Sequence, residues 1–431
     1  MKIAILGFGR EGLSAYKYWS SPENTITIHD NNSEIILPSG VDGIVGADAF
    51  KDIDKYSYDL LVRSPGLRIE SHSLKTPCTT PTNEFLKVCQ AKVIGVTGTK
   101  GKGTTSTLIS KILTQAGYKT HLLGNIGSPA LDALPDISKD DIVVYEMSSF
   151  QLYDIKVSPH VAVCLMVSED HLDWHNDLDE YRQSKRNIFK YQKSDDIAVY
   201  YSDNSTSVEL AMDSRAKYKY SYGKDSDVTI VDGRIKAFGE DIISEKDVLL
   251  PGEHNLQNIS AAIAACHVFT KDIAAINEVL KTFKGLPYHI ELVKEKDGIK
   301  YYNDSFSTNP SAAIAAIRSF DKPQVLFLGG YDRGSNFEEL AQELKSCQIR
   351  TIICFGQSGP KIEAALIKAG LEDIEYVPGN DFNKIIQKGI GLALEGDCVV
   401  FSPACPSYDM FKDYIDRGNT FNDALGGISL E

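Results

Sequence analysis

Short apolar runs recur along the chain, and each ends at glycines, acids or a Pro–Gly turn before a helical pattern begins. The first block opens on "KIAIL", which stops at "GFGREG" and passes into "LSAYKYW"; "TITIHD" and "DLLVRSPG" follow in the same rhythm. β-type runs alternating with helical or loop segments predict βαβ units in an open parallel sheet. The Pro and Thr punctuation of "TPCTTPTNEF" marks a change of block between Thr80 and Ala91. The second block holds "VIGVTGTKGKGTTSTLI", "DIVVYEMSSFQ" and "VAVCLMVSEDH". Their continuous apolar stretches suit parallel strands buried on both faces. A more polar, hairpin-like region covers 226–250, and the helix-like "NLQNISAAIAACHVF" closes the block. The third starts near Gly285-Leu286-Pro287 and repeats the alternation with "YYNDS", "VLFLGG", "TIICFG" and "CVVFSPA". No internal repeat or low-complexity tract appears, and three α/β domains are predicted.

Length agrees, since 431 residues exceed one ordinary core. A composition 42% hydrophobic and 24% charged is that of a globular protein, and no apolar run approaches the roughly 20 residues of a membrane span. The N-terminal run lacks the apolar core and cleavage site of a signal peptide. Eight cysteines without a C-x-x-C pair argue against a disulfide framework or zinc ribbon, and several, such as Cys164, Cys354 and Cys398, sit in apolar runs. A cytoplasmic protein is expected. The net charge of −14 disfavours nucleic acid and anionic membrane as partners, so any phosphate must be held by local positive charge.

That charge is in "VTGTKGKGTT". Glycines between a strand and a helix let backbone N–H groups converge on a phosphate, and the helix N-terminus adds its dipole. Lys102 then neutralises the β- and γ-phosphates. The residue after it is Gly103, which cannot bind a metal through a side chain, but Thr104 follows at the same helix start. Glu146 ends "IVVYE", and Asp170 and His171 follow "VAVCLMVSE", so they fall at strand C-termini, where open parallel sheets bind ligands. His171 and His175 share the spacing of a zinc-protease helix, but Leu172 stands where that motif needs Glu. A capping or core role for His171 competes with one beside a nucleotide's magnesium. The fingerprint "GFGREG" is weak alone, and a tight turn explains it as well as a nucleotide does; Asp30, ending the second strand, is placed to meet a ribose. In the third block, "NDSFSTNP", "GGYDRGSNF" and "SPACPSYDMFKDYIDRGNTF" each follow a β-type run. Asp304 and Asp332 there suit a ribose or an amine, and Arg333, Ser407 and Lys412 suit a carboxylate, though each taken singly also fits an ordinary turn or cap.

Together, "VTGTKGKGTT", "LLGNIGSPAL", "YEMSSFQL", "SEDHLDWH", "YRQSK", "LPGEHNLQN" and "NDS" with "TNP" resemble the Mur ligases, the ATP-dependent amino-acid ligases of peptidoglycan stem-peptide synthesis. The tail "SPACPSYDMFKDYIDRGNTF" resembles that of the members that add D-glutamate to UDP-N-acetylmuramoyl-L-alanine. The resemblance spans all three blocks in order. It implies a Rossmann-like UDP-substrate domain over 1–88, a central P-loop-type ATP-binding parallel sheet over 89–285 and a Rossmann-like amino-acid domain over 286–431. It places Arg10, Glu11, Gly12, Asp30, Ser64, Gly66 and Asn125 around the UDP substrate. ATP falls to Thr99, Lys100, Gly101, Lys102, Gly103, Thr104 and Thr105, with Asn255, Asn258, His289, Asp304 and Asp332. Thr308, Arg333, Ser407, Tyr408 and Tyr414 are implied for the amino acid. Magnesium falls to Thr104, Glu146, His171 and Lys185, and Lys102, Glu146, His171 and Lys185 are the implied catalytic set. Lys185 is, from sequence alone, a helix-surface lysine in "YRQSKRNIF"; the resemblance implies a carbamylated lysine holding a second magnesium ion. A monomer passing through an acyl-phosphate intermediate is expected.

Three positions depart from the family pattern. Gly103 replaces a hydroxyl, as in the folylpolyglutamate synthetases, where the hydroxyl also comes one residue later. Tyr288-His289 stands where relatives often have His-Arg. Phe306 stands where many D-glutamate ligases carry Lys. An L-glutamate-adding or folylpolyglutamate-type ligase is the nearest alternative, although the latter lacks a UDP domain. A nucleotide-binding regulator or a Rossmann dehydrogenase would not need Glu146, His171 and Lys185 together.

Overall fold

A computed structural model of the chain describes residues 1–69 and 74–426. The chain forms two compact units, one of Met1–Asp247 with Leu256–Lys281, the other of Val248–Asn255 with Thr282–Glu431. We propose that the first unit contains two domains meeting at 88/89, each with its own sheet, and that the last domain starts at 286.

The first sheet is parallel throughout, in the order Asp42–Val45, Thr25–Asp30, Lys2–Leu6, Leu60–Arg63, Cys78–Thr79. The fingerprint loop leaves its central strand and enters the helix Arg10–Trp19. Gly12 is required there by close packing, since a Cβ on it would lie 2.0 Å from the Gly7 carbonyl oxygen.

The second sheet has nine strands. Within it Lys92–Thr97 runs between Ile142–Glu146 and Val161–Cys164, all parallel and all buried except for Lys92. Their near-continuous apolar character follows from helices covering both faces. The region read as hairpin-like forms the antiparallel edge Val228–Val231, Arg234–Ala237, Glu240–Ser244. One apolar cluster runs through both sheets; within it the Phe85 and Tyr145 rings meet edge to face at 5.5 Å. The register sets Val96 beside Glu146 and Thr97 beside Cys164, so the glycine loop and the acids that end the neighbouring strands emerge at one edge.

The second unit carries a six-stranded sheet, parallel apart from the pair Glu291–Lys296 and Ile299–Asn303. Apolar clusters flank it on both faces. No helix among the described residues is long and apolar enough to cross a membrane.

Candidate active site

The loop after Lys92–Thr97 reaches the helix Lys102–Gln115 through Gly101, whose φ is +83°. A Cβ on Gly101 would lie 2.1 Å from the Asn258 Oδ1, so only glycine fits. Lys102 curls back over the loop and donates to the carbonyl oxygens of Thr99 at 2.8 Å and Gly98 at 3.2 Å. Burial lowers its pKa, while the Glu146 and Asp170 carboxylates oppose that shift. Thr99 is committed to the scaffold: its hydroxyl bonds the Ser168 carbonyl at 3.1 Å, the Ser168 N–H at 2.9 Å and the Tyr181 hydroxyl at 2.9 Å. Lys100 is exposed, Gly103 and Thr104 are half-buried in the helix's first turn, and Thr105 is buried with its hydroxyl 3.4 Å from the Asn258 Oδ1.

Glu146 is buried beside this loop. Its Oε1 accepts from the Asn125 side chain at 3.0 Å, and its Oε2 is enclosed with no hydrogen-bond partner. Desolvation raises its pKa. Lys185 corrects the surface reading of "YRQSKRNIF": it is 1% exposed, and its ammonium donates to the Gly98 carbonyl oxygen at 2.8 Å and lies 3.4 Å from the Thr97 hydroxyl. Burial, and then the Lys102 charge, push its pKa down to about 7. His171 has φ +54°, is partly exposed, and packs on the Phe150 ring at 4.8 Å. Its neighbour His175 is the buried one, bonded to the Ser149 hydroxyl at 3.0 Å.

A cleft of about 580 Å³ opens between the fingerprint loop, the turn 64–67 and the segment after Glu146. All seven residues expected around the UDP substrate belong to the first unit, and six of them line this cleft; Gly12 lies behind it. Asp30 brackets the fingerprint loop, accepting from the Phe8 N–H at 2.6 Å and the Asn32 N–H at 2.8 Å. Arg10 donates to the Gly127 carbonyl oxygen at 2.9 Å, and the Ser64 hydroxyl to that of Gly7 at 2.6 Å. Glu11 keeps one buried oxygen without a partner, and burial raises its pKa to about 7.

In the second unit Asp304, Thr308, Asp332, Arg333, Ser407, Tyr408 and Tyr414 follow the C-terminal ends of parallel-paired strands, whereas His289 precedes the antiparallel strand Glu291–Lys296. Asp304 is buried and serves its own chain, accepting from the hydroxyls of Ser307 at 2.5 Å and Ser402 at 2.6 Å and from the Ile290 N–H at 3.2 Å. Burial lifts its pKa to about 7. The two aromatic departures from the family pattern touch: the His289 and Phe306 rings stack at 4.0 Å, and Tyr414 meets Phe306 edge-on at 5.1 Å. Arg333 lies 5.9 Å from the exposed Tyr408 ring. Asp332 accepts from the Gly334 N–H at 2.8 Å and pairs with Lys361 at 3.5 Å. Ser407 is buried, Thr308 half-buried and Lys412 exposed. Asn255 is in this unit too, its side chain donating to the Pro251 carbonyl oxygen at 2.8 Å.

The family model of the Mur ligase middle domain matches residues 96–266, and that of the Mur ligase glutamate ligase domain matches 290–405. Across 99% of the chain the sequence is 35% identical to the UDP-N-acetylmuramoylalanine--D-glutamate ligase of Clostridium perfringens, of which it covers 96%. It is 36% identical to the enzyme of that name from Clostridium tetani, covering 99% of this chain and 97% of that one. The chain belongs to the Mur ligase family. The fold agrees: the UDP-N-acetylmuramate-alanine ligase of Thermotoga maritima superposes over the whole of both chains with a TM-score of 0.61 at 18% identity. A MurF ligase from the same organism, in complex with ADP, gives 0.58 at 20%, covering 86% of this chain and 90% of that one. As a Mur ligase the protein is an ATP-dependent, amide-forming enzyme.

Among the described residues no three His, Cys, Asp or Glu side chains gather into a metal cage. A magnesium ion carried with ATP would call for something different, a sparse set of hard oxygen donors completed by phosphates and water. The unpartnered, buried Oε2 of Glu146 fits that demand, because leaving it unused costs desolvation with no return. Sequence reasoning did not single out Arg63, Ser148, Phe150, Tyr181 and Arg417. The one available signal was "SSFQ", whose Ser148 and Gln151 form the capping box that seats Phe150 on the cleft wall.

Proposed function

We propose that this Mur ligase joins D-glutamate to UDP-N-acetylmuramoyl-L-alanine at the expense of ATP. The observation that carries the chemistry is the loop Gly98–Thr105, with Lys102 folded over it and the Glu146 carboxylate opposite. The full-length likeness to D-glutamate ligases supports the choice of substrate.

On this reading the cleft takes the UDP substrate, with Arg10, Glu11, Asp30, Ser64, Gly66 and Asn125 around it. ATP lies along residues 99–105, with Asn255 and Asn258 assigned to adenine and His289, Asp304 and Asp332 also assigned to the nucleotide. The amino acid falls to Thr308, Arg333, Ser407, Tyr408 and Tyr414. A carboxylate oxygen of the L-alanyl group bonds to the γ-phosphorus as the bond to the β–γ bridging oxygen breaks, giving an acyl phosphate and ADP. The amine then adds to the acyl carbon, loses a proton, and phosphate leaves. Lys102 holds charge developing on the phosphoryl oxygens. Thr104, Glu146, His171 and a carbamylated Lys185 would hold magnesium, which supplies charge neutralisation on the triphosphate. An amine must be neutral to take up carbon dioxide, and with a pKa of about 7 a large share of Lys185 is neutral at physiological pH. All eight cysteines are free thiols, which supports a reducing, cytoplasmic setting. On this reading the protein acts as a monomer.

The test is phosphate release with UDP-N-acetylmuramoyl-L-alanine, ATP, Mg²⁺ and D-glutamate. Lys102→Ala is expected to abolish release while UDP binding persists; equal turnover by that variant would refute the reading.

A further inference from the structure

Arg63 ends the strand Leu60–Arg63, is wholly buried, and spends its donors on one purpose. Its Nη1 donates to the carbonyl oxygens of Ser64 at 3.2 Å, Pro65 at 2.9 Å and Leu67 at 2.8 Å. Its Nη2 donates to the Phe150 carbonyl oxygen at 3.1 Å, and Nε and Nη2 grip Asp154 at 3.0 and 2.7 Å. The fourth carbonyl of the turn, that of Gly66, accepts from the Trp174 indole at 3.0 Å. Every carbonyl from Ser64 to Leu67 is thus bound from the protein side.

A trans peptide points its C=O and N–H in opposite directions. Turning the Pro65 carbonyl inward therefore turns the Gly66 N–H outward, and Gly66 is exposed on the cleft wall. Among the described residues that N–H has no acceptor. Phe150 lines the same cleft, so one guanidinium ties together lining segments that follow strands of two different sheets. Burying an arginine is expensive, and apolar packing of the strand end would be the cheaper solution if stability were all that mattered.

We infer that Arg63, with Asp154 as its counter-ion, is a positioning residue for the UDP-bearing substrate, presenting the Gly66 N–H and fixing the width of the cleft. This rests on the substrate reading above.

Arg63→Lys keeps the charge but cannot serve five acceptor groups at once. It is expected to raise both the calorimetric Kd for UDP and the KM for UDP-N-acetylmuramoyl-L-alanine by about tenfold or more, while kcat and the KM for ATP stay within about twofold. Trp174→Phe, which frees only the Gly66 carbonyl, is expected to act in the same direction more weakly, and it decides the matter if Arg63→Lys does not fold. Unchanged UDP affinity in the variants, a fall in kcat alone, or an equal rise in the KM for ATP would overturn the positioning role. No UDP binding by the wild-type protein would overturn the substrate reading itself.

Discussion

The buried ammonium of Lys185 donates to the carbonyl oxygen of Gly98 at 2.8 Å, so a lysine from the helix Leu178–Lys190 is held by the loop that begins the phosphate site. Two cations, Lys102 and Lys185, then share the Gly98 carbonyl. Their repulsion adds to desolvation and favours the uncharged form of Lys185.

This has a consequence for stability. The folded pKa of Lys185 lies near 7, below its usual 10.5, so between those values the unfolded chain binds the extra proton. Wild-type stability therefore rises with pH across that window. Lys185→Met is expected to melt higher than wild type at pH 7 in CO₂-free buffer, with the gap closing towards pH 10. A gap independent of pH would contradict the assignment.

Glu146 makes the opposite trade. Its enclosed oxygen has no partner, so Glu146→Gln relieves a desolvated charge. The apo protein is expected to melt no lower than wild type while phosphate release falls by roughly 100-fold or more, as for groups stabilising developing charge. Joint loss of melting temperature and activity would mark Glu146 as structural.

Much of this site was legible because buried parallel strands have a strong signature. "VIGVT", "IVVYE" and "VAVC" are apolar on both faces, and the special residues follow them. Lys185 was reached only through the family resemblance, and the burial of Arg63, Arg417 and Lys185 was not legible, since a charged residue at a strand end or in a charged helix has the pattern of a solvated one. Only the tertiary fold shows Arg417 buried, donating to both the carbonyl and hydroxyl oxygens of Ser305 and to the Cys405 carbonyl. Nor does periodicity reveal which of two histidines four residues apart is buried; His175 is, and His171 is not.

Gly101→Ala tests the phosphate loop without touching a charge. The positive φ costs about 1–2 kcal/mol for an L-residue, and the added methyl would meet the Asn258 Oδ1. The KM for ATP is expected to rise about tenfold or more, with UDP binding unchanged. An unaltered KM for ATP would show that the loop does not hold the nucleotide.

Asp304 reports on the second unit. Its folded pKa is raised from 3.8 to about 7, so the folded state keeps a proton that the unfolded state has released between those values. Its contribution to stability is full below pH 4 and is lost as pH rises to 7. In urea titrations at pH 4.5 and 8, wild type minus Asp304→Asn is expected to shift towards the variant at the higher pH. A constant difference would contradict the buried-acid assignment.

The central claim is tested most directly by measuring phosphate release from ATP with UDP-N-acetylmuramoyl-L-alanine and Mg²⁺ against a panel of D- and L-amino acids. The account expects release with D-glutamate alone, matched by the new amide product. Turnover with L-glutamate, or release that does not need the UDP substrate, would contradict it.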